Sequence, residues 1–251
     1  MKTSFRNRCW IGGAIISTFA AVAVLNTGFV SEGGSRQSVR VMLRGARAID
    51  KERTVHAHAS VPIISCNHSG KFNAGERCCN MHFWEQSAPL MKWRLEQPGK
   101  VTVMNGREWI TSSLDGADGH ICAAFHADCV EVMANLAAVL RDEVREANAN
   151  RREMICVEAS GIDGRDKLVV TIDAKADERN TARYLNRCLG AVDTKRVYRF
   201  DKATGLLESL DITLTGSLAP TLVIGPIEYG NTMPDELWHL AGGKPTMVVK
   251  N

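Results

Sequence analysis

In LMKWRLEQ, residues 90–97, Met91, Trp93 and Leu95 alternate with Lys92, Arg94 and Glu96. Apolar and charged side chains trading places with a period of two belong to a strand with one dry face and one wet face. The next stretch, KVTVMNGREWITSS, sets Asn105-Gly106 between two β-prone runs. Asn-Gly is the strongest short hairpin signal, because a type I′ turn needs positive φ at both central residues. Upstream, MHFWEQ (81–86) meets the alternating run through Ser-Ala-Pro, another turn. Residues 81–113 therefore predict an antiparallel meander of about four strands, since tight turns join only antiparallel neighbours.

Helical patterns occur in two places. In SVRVMLRGARAIDKE (38–52), Val39, Met42, Leu43, Ala46 and Ile49 lie at helical spacing between basic residues, after a short polar linker at 31–37. Over 120–147 the stripe Cys122, Phe125, Cys129, Val132, Met133, Leu136, Val139 and Leu140 does the same, and RDEVREANANRRE reads as its charged, solvated end. TVHAHASVPII (54–64) is β-branched and alternating, a strand, and CNHSGKFNAGERCCN (66–80) reads as a loop. Further strands are expected at 154–162, 167–173, 196–200, 207–215 and 225–230, with a polar loop at 175–190 and a short helix at 233–240. The expectation is one α+β domain over 36–240, a long antiparallel sheet with helices from two places in the chain, followed by a flexible tail at 241–251.

The N-terminus has a different character. MKTSFRNR carries Lys2, Arg6 and Arg8 and no acid, and Cys9–Val30 then runs without a charged residue. A basic flank before an apolar run is an export signal. The run is long enough to span a bilayer, which takes roughly 20 residues, so residues 1–35 are expected to be an uncleaved anchor with linker rather than a cleaved signal. The remainder is then exported and held at the outer face of the cytoplasmic membrane. Export changes the meaning of Cys66, Cys78, Cys79, Cys122, Cys129, Cys156 and Cys188. They can pair there, but an odd set leaves at least one over or joined between chains.

Chemistry is harder to find. GHICAAFHADC (119–129) gathers His120, Cys122, His126 and Cys129, ligand types that hold zinc. Cys122 and Cys129 also fall inside the apolar stripe of the helix, and the other ligand candidates (Cys78, Cys79, His82) belong to another segment. Packed core, or a disulfide to a neighbouring strand, is therefore the expected role, and no metal or cofactor is assigned. His56 and His58 share one strand face, where a solvent-facing or edge position is expected. Cys78-Cys79 is a vicinal pair with reactive potential, and Glu158 and Asp163 are single carboxylates near a strand end. No G-x-S-x-G, Gly-rich phosphate loop or H-E-x-x-H occurs, so no catalytic residue is assigned and the chain is not expected to be an enzyme. Net charge is +3 with Lys and Arg scattered among acids, which gives no nucleic-acid surface.

KRVYRFDKATGLLESLDI (195–212) has a strand ending in a D-x-x-T-G-L turn, with Asp201, Thr204, Gly205 and Leu206, and an immediate return strand. It is similar to the penultimate hairpin of the LolA-like superfamily of periplasmic lipoprotein carriers and sigma-E regulators. The order of elements agrees over most of 38–240: an N-terminal helix, a meander with Trp93-Arg94, an Asn-Gly hairpin followed by Trp109, a mid-chain helix, more strands, and a closing I-x-Y-G…P-D-E-L-W segment. The resemblance implies a strongly curved antiparallel sheet, an open half-barrel with helices in its concave face and a cavity for acyl chains. Met91, Trp93, Leu95, Leu168, Val170, Ile172, Leu210, Ile212 and Leu214 occupy single faces of their strands and are the expected cavity lining. The implied function is a tethered lipid- or lipoprotein-binding module. The alternatives are an envelope signalling module with a membrane protein partner and, more remotely, a metal or thiol redox protein.

Overall fold

The computed structural model describes residues 35–66, 72–97, 100–106, 108–113, 129–161, 164–175, 193–214, 222–240 and 244–248. The anchor region, the segment 114–128 and the segment 176–192 lie outside the described residues, and so do the readings of His120, Cys122 and His126.

Helix α1 (Ser35–Ile49) leads into β1 (Thr54–Cys66), β2 (Phe72–Gln86), β3 (Lys92–Gln97), β4 (Lys100–Met104) and β5 (Glu108–Ser113). Helix α2 (Leu136–Ala149) follows, and then β6 (Met154–Ser160), β7 (Asp166–Ala174), β8 (Thr194–Asp201), β9 (Leu207–Leu214) and β10 (Leu222–Tyr229). A 3-10 turn (Asp235–Trp238) and β11 (Lys244–Val248) complete the described chain. The strands form one sheet in the order β11-β5-β4-β3-β2-β1-β10-β9-β8-β7-β6, with antiparallel pairing throughout. Its two end strands do not pair with each other, so the sheet stays open. β1 is the seam, with the β2–β5 meander on one side and β10–β6 on the other.

Three readings of the sequence are corrected. The expected loop at 66–80 is largely the first half of β2, where Cys66 faces Phe72, Ser65 faces Asn73 and Ile64 faces Ala74. Its Gly and Asn residues read as a turn, but the long partner strand β1 takes up its backbone hydrogen bonds, and pairing outweighs propensity. The expected loose tail supplies β11, which pairs with β5 and covers that edge of the sheet. The long helix is interrupted: a helical stretch at 129–133 gives way to a turn at 134–135 before α2. There the Asn135 amide donates back to the Glu131 carbonyl (2.9 Å), the kind of local bond by which Asn competes with a helix.

The inner face carries the core. Met42 and Ala46 of α1, Val139 and Leu140 of α2, and Val170, Ile172, Tyr198, Phe200, Leu210 and Ile212 of the sheet form one buried cluster. Gly45 lets α1 lie against the sheet, because a Cβ there would meet the Phe200 ring at 2.5 Å. The D-x-x-T-G turn is the dock for this helix. Asp201 Oδ1 accepts from the Thr204 amide (2.7 Å) and hydroxyl (2.8 Å), and Gly205 takes φ +79°, a conformation that favours glycine. The Arg44 guanidinium lies where a Gly205 Cβ would be and donates to the Ala203 carbonyl (2.8 Å). The hydrogen bonds from Thr204 hold the Asp201 carboxyl below its ordinary value.

On the outer face, the segment after β10 straps the meander. Arg94 donates to the Leu237 carbonyl (3.0 Å), and the Lys92 ammonium stands 5.7 Å from the ring of Trp238, which is fully buried. Val101 and Val103 of β4 are buried on this same face. Both faces of the meander are thus partly covered, and the inner one less completely than that of β7–β9.

Candidate functional site

The inner face of the meander holds a cavity of about 590 Å³. The register explains its lining. Phe83 faces Leu95, Leu95 faces Thr102 and Thr102 faces Thr111, while Glu85 faces Trp93, Trp93 faces Met104 and Met104 faces Trp109. One ladder thus brings Phe83, Glu85, Trp93, Leu95 and Trp109 to the same side. Trp93 and Trp109 meet edge to face, with centroids 4.7 Å apart, the favoured geometry for an aromatic pair. The opposite wall is the interrupted helix, through Val130, Glu131, Ala134 and Asn135. Of the lining residues Met91 and Trp109 are exposed, at the mouth, and Leu90, outside the lining and against Gly106, is exposed as well. Together with Ile155 and Val157 on β6, they are the exposed large hydrophobic residues among those described.

The nine residues expected to line a cavity divide into two groups. Met91, Trp93 and Leu95 line this one. Leu168, Val170, Ile172, Leu210 and Ile212 are buried beneath the helices, and Leu214 packs partly buried against the same cluster. Those six lie apart from the cavity lining, whereas Leu95 both lines the cavity and belongs to the buried cluster. The helices explain the division: α1 packs on α2, β6 and β7, so β7–β9 have their apolar face filled. The alternation pattern missed Phe83, Glu85 and Trp109. The expected type I′ turn would have set Trp109 opposite Thr102. Instead Asn105 does not take positive φ and its amide donates to the Glu108 carbonyl (3.2 Å), so the register shifts, placing Trp109 opposite Met104 and hence beside Trp93.

A second cavity, of about 300 Å³, adjoins the first. Glu85, Ala134 and Asn135 line both. Its other polar groups include Asp50, Glu52 and Arg141, with Arg141 bonded to Asp50. Burial pushes the Glu85 carboxyl above its ordinary value, and among the described residues no cation pairs with it.

The histidines gather on the outer face at the seam. His56 faces Trp84 across the strands and His58 faces His82, so the two share a face as expected. Of the two positions expected, edge or solvent-facing, the edge is excluded because β1 is in the middle of the sheet. His56 Nε2 lies 3.3 Å from His82 Nδ1, His56 Nδ1 is 3.4 Å from Glu228 Oε2, and His58 Nδ1 is 3.3 Å from the Gly225 carbonyl. His56 stacks on Trp84 at 4.7 Å. Among the described residues no group of His, Cys, Asp or Glu has the arrangement of a metal site. Cys129, at one end of the suspected zinc stretch, is fully buried in the core.

Burial, then His58, then His56 lower the pKa of His82, with Glu96 opposing. Between the lowered and the ordinary value the unfolded chain binds more protons than the folded one. Stability is therefore expected to be full above about pH 6.5 and to fall as the pH drops through the folded value. Thermal unfolding followed from pH 7.5 to 5 should show this decline, and His82→Gln should flatten it. An unchanged slope in that variant would refute the assignment.

No protein-family model matches the sequence, and no curated protein matches it significantly. Solved structures do match in three dimensions. A structure of MucB is 12% identical and covers 84% of this chain with a TM-score of 0.50. The chain spans 66% of the length of that protein. The MucA/MucB complex of Pseudomonas aeruginosa gives 12% identity, 84% and 64% coverage, and a TM-score of 0.46. LprF from Mycobacterium bovis gives 9%, 80% and 96%, and 0.46. The order of the open sheet, the helices packed on its inner face and the match to MucB identify the LolA-like half-barrel fold that the D-x-x-T-G hairpin resembles.

Proposed function

We propose that the domain is an exported, membrane-tethered binding module that takes an acyl chain of a lipid or lipoprotein into the cavity of the β2–β5 meander. One observation supports this reading above the rest: an apolar cavity on the inner face, walled by Trp93, Leu95 and Phe83, with exposed Met91 and Trp109 at its mouth. A volume of about 590 Å³ is in the usual range for small-molecule sites. Exposed apolar side chains clustered at a cavity mouth are a feature of binding surfaces. No chemistry is required, since each buried methylene contributes roughly 0.8 kcal/mol.

The test is the lipid content of the purified protein. Trp93 is half-buried at the cavity wall, so a Trp93→Glu side chain reaches solvent through the mouth and the protein should stay folded. Lipid recovered from that variant, measured by mass spectrometry of an organic extract, should fall to background. Lipid retained at the wild-type level would sink the proposal.

A second reading, an envelope signalling module with a protein partner, is favoured by a different feature. β6 is an end strand of the sheet and exposes Ile155 and Val157. An apolar edge strand is a ready template for pairing with another chain.

A further inference from the structure

Glu85 stands at the junction of the two cavities, and its environment bears on what the site takes. This inference rests on the reading of the larger cavity as an acyl-chain site and adds the chemistry of the head group. The side chain is half-buried, lines both spaces, and has no cationic partner among the described residues. A carboxylate partly removed from water without a partner is costly, and a donor brought to it recovers that cost. The smaller cavity does not supply the donor, because Arg141 is engaged by Asp50. Lys100 lies by the opposite end of β3, facing Gln97, whereas Glu85 faces Trp93. At a rise of roughly 3.3 Å per residue this separates the two charges by about 13 Å along the sheet. Lys100 is exposed there, and water screens it. Between their rows lie Phe83, Leu95, Thr102 and Thr111, and Trp93 and Trp109 share the row of Glu85, so a mainly apolar span has a solvated cation at one end and a poorly solvated carboxylate at the other.

We propose that the ligand is an amphiphile whose head group donates hydrogen bonds and carries no negative charge, with the head at Glu85, at the neck between the cavities, and the chain along Trp93, Leu95 and Phe83 toward Lys100. Glu85 is then the residue that sets head-group specificity. Ala134 and Asn135 form the opposite side of the neck, so the turn that interrupts the helix is the place where the head group is accommodated. The elevated pKa of Glu85 agrees with this placement, because perturbed carboxyls in clefts mark functional positions.

The experiment offers equimolar dodecylamine and dodecanoic acid to the full-length protein and counts the adducts by native mass spectrometry. Wild type should carry the amine in about ten-fold excess, the size expected of one charge-assisted hydrogen bond. Glu85→Gln should bring the ratio to about one while the total adduct persists, since the apolar span is untouched. Both amphiphiles binding without preference would overturn the head-group inference and leave the cavity reading standing. A preference for the acid would place the head at Lys100 and overturn it equally. A preference unchanged in Glu85→Gln would remove Glu85 from the role. Neither amphiphile binding to wild type would overturn the cavity reading and this inference with it.

Discussion

Replacing Arg196 with Ala is expected to destabilise the domain by about 3–5 kcal/mol, the cost of leaving one member of a buried ion pair without the other. Arg196 projects from β8 to the inner face, where it is 2% exposed and bonded to Glu143 of α2, itself fully buried. Its Nε also donates to the Thr194 hydroxyl (3.2 Å). Burial is the largest single influence and works against the Arg196 charge, but Glu143, Tyr198 and Glu146 together outweigh it and keep the guanidinium above its ordinary pKa. Tyr198 lies beside them, its hydroxyl raised well above the usual value, first by burial and then by Glu143. The same pair predicts a rescue: Arg196→Met with Glu143→Leu removes both charges and should recover most of the lost stability, because apolar side chains of similar volume fill such a site well. Urea unfolding of the single and double variants checks both halves. A single variant within 1 kcal/mol of wild type, or a double variant no better than the single, would show that the pair does not hold α2 on the sheet.

This pair also shows where the sequence stopped being legible. The run RDEVREANANRRE reads as a solvated helix end by its charge content, yet Asp142, Glu143, Glu146 and Arg152 are buried. A helical wheel reports which residues share a face, but not that a strand some fifty residues later presents Arg196 to that face. The D-x-x-T-G hairpin was legible for the opposite reason: its Asp201–Thr204 bonds and its positive-φ glycine are local, so short-range chemistry determines them. The place of the Asn105-Gly106 hairpin and the alternation in β3 were local as well, although Asn105 does not take the positive φ of the expected type I′ turn. The first half of β2 and the β11 strand owe their conformation to partner strands, and neither carries a strong pattern of its own. For the site, alternation located the apolar faces of β3, β7 and β9. It had no means of telling a face that a helix fills from one left open, and that difference divides Trp93 from Val170.

The same difference gives the other large expected effect. Val170→Glu should leave no folded domain, whereas Trp93→Glu should fold and lose its lipid. Both substitutions place a carboxylate on an inner-face position of a strand. Val170 is fully buried in the cluster with Tyr198, Phe200 and the helices, so the new charge has no water, and the cation on this face, Arg196, is already bonded to Glu143. Burying it costs several kcal/mol, or leaves it protonated with an unmet hydrogen-bonding group, against a total stability that for most domains is about 5–15 kcal/mol. The loss of close packing around a branched side chain adds to this. Trp93 stands at the wall of an open cavity of about 590 Å³, where water reaches a carboxylate, and the lost packing is the contacts with Trp109 and Phe83 and the partly buried side against the core. Circular dichroism and soluble yield of the two variants, prepared side by side, separate the cases. Two folded proteins would mean that the β7–β9 face is as open as the meander, and the acyl-chain site would then extend across the whole sheet. Two unfolded ones would mean that the β2–β5 face is closed in solution, leaving no space there for a ligand. Only the split outcome agrees with a half-barrel filled on one side of β1 and open on the other.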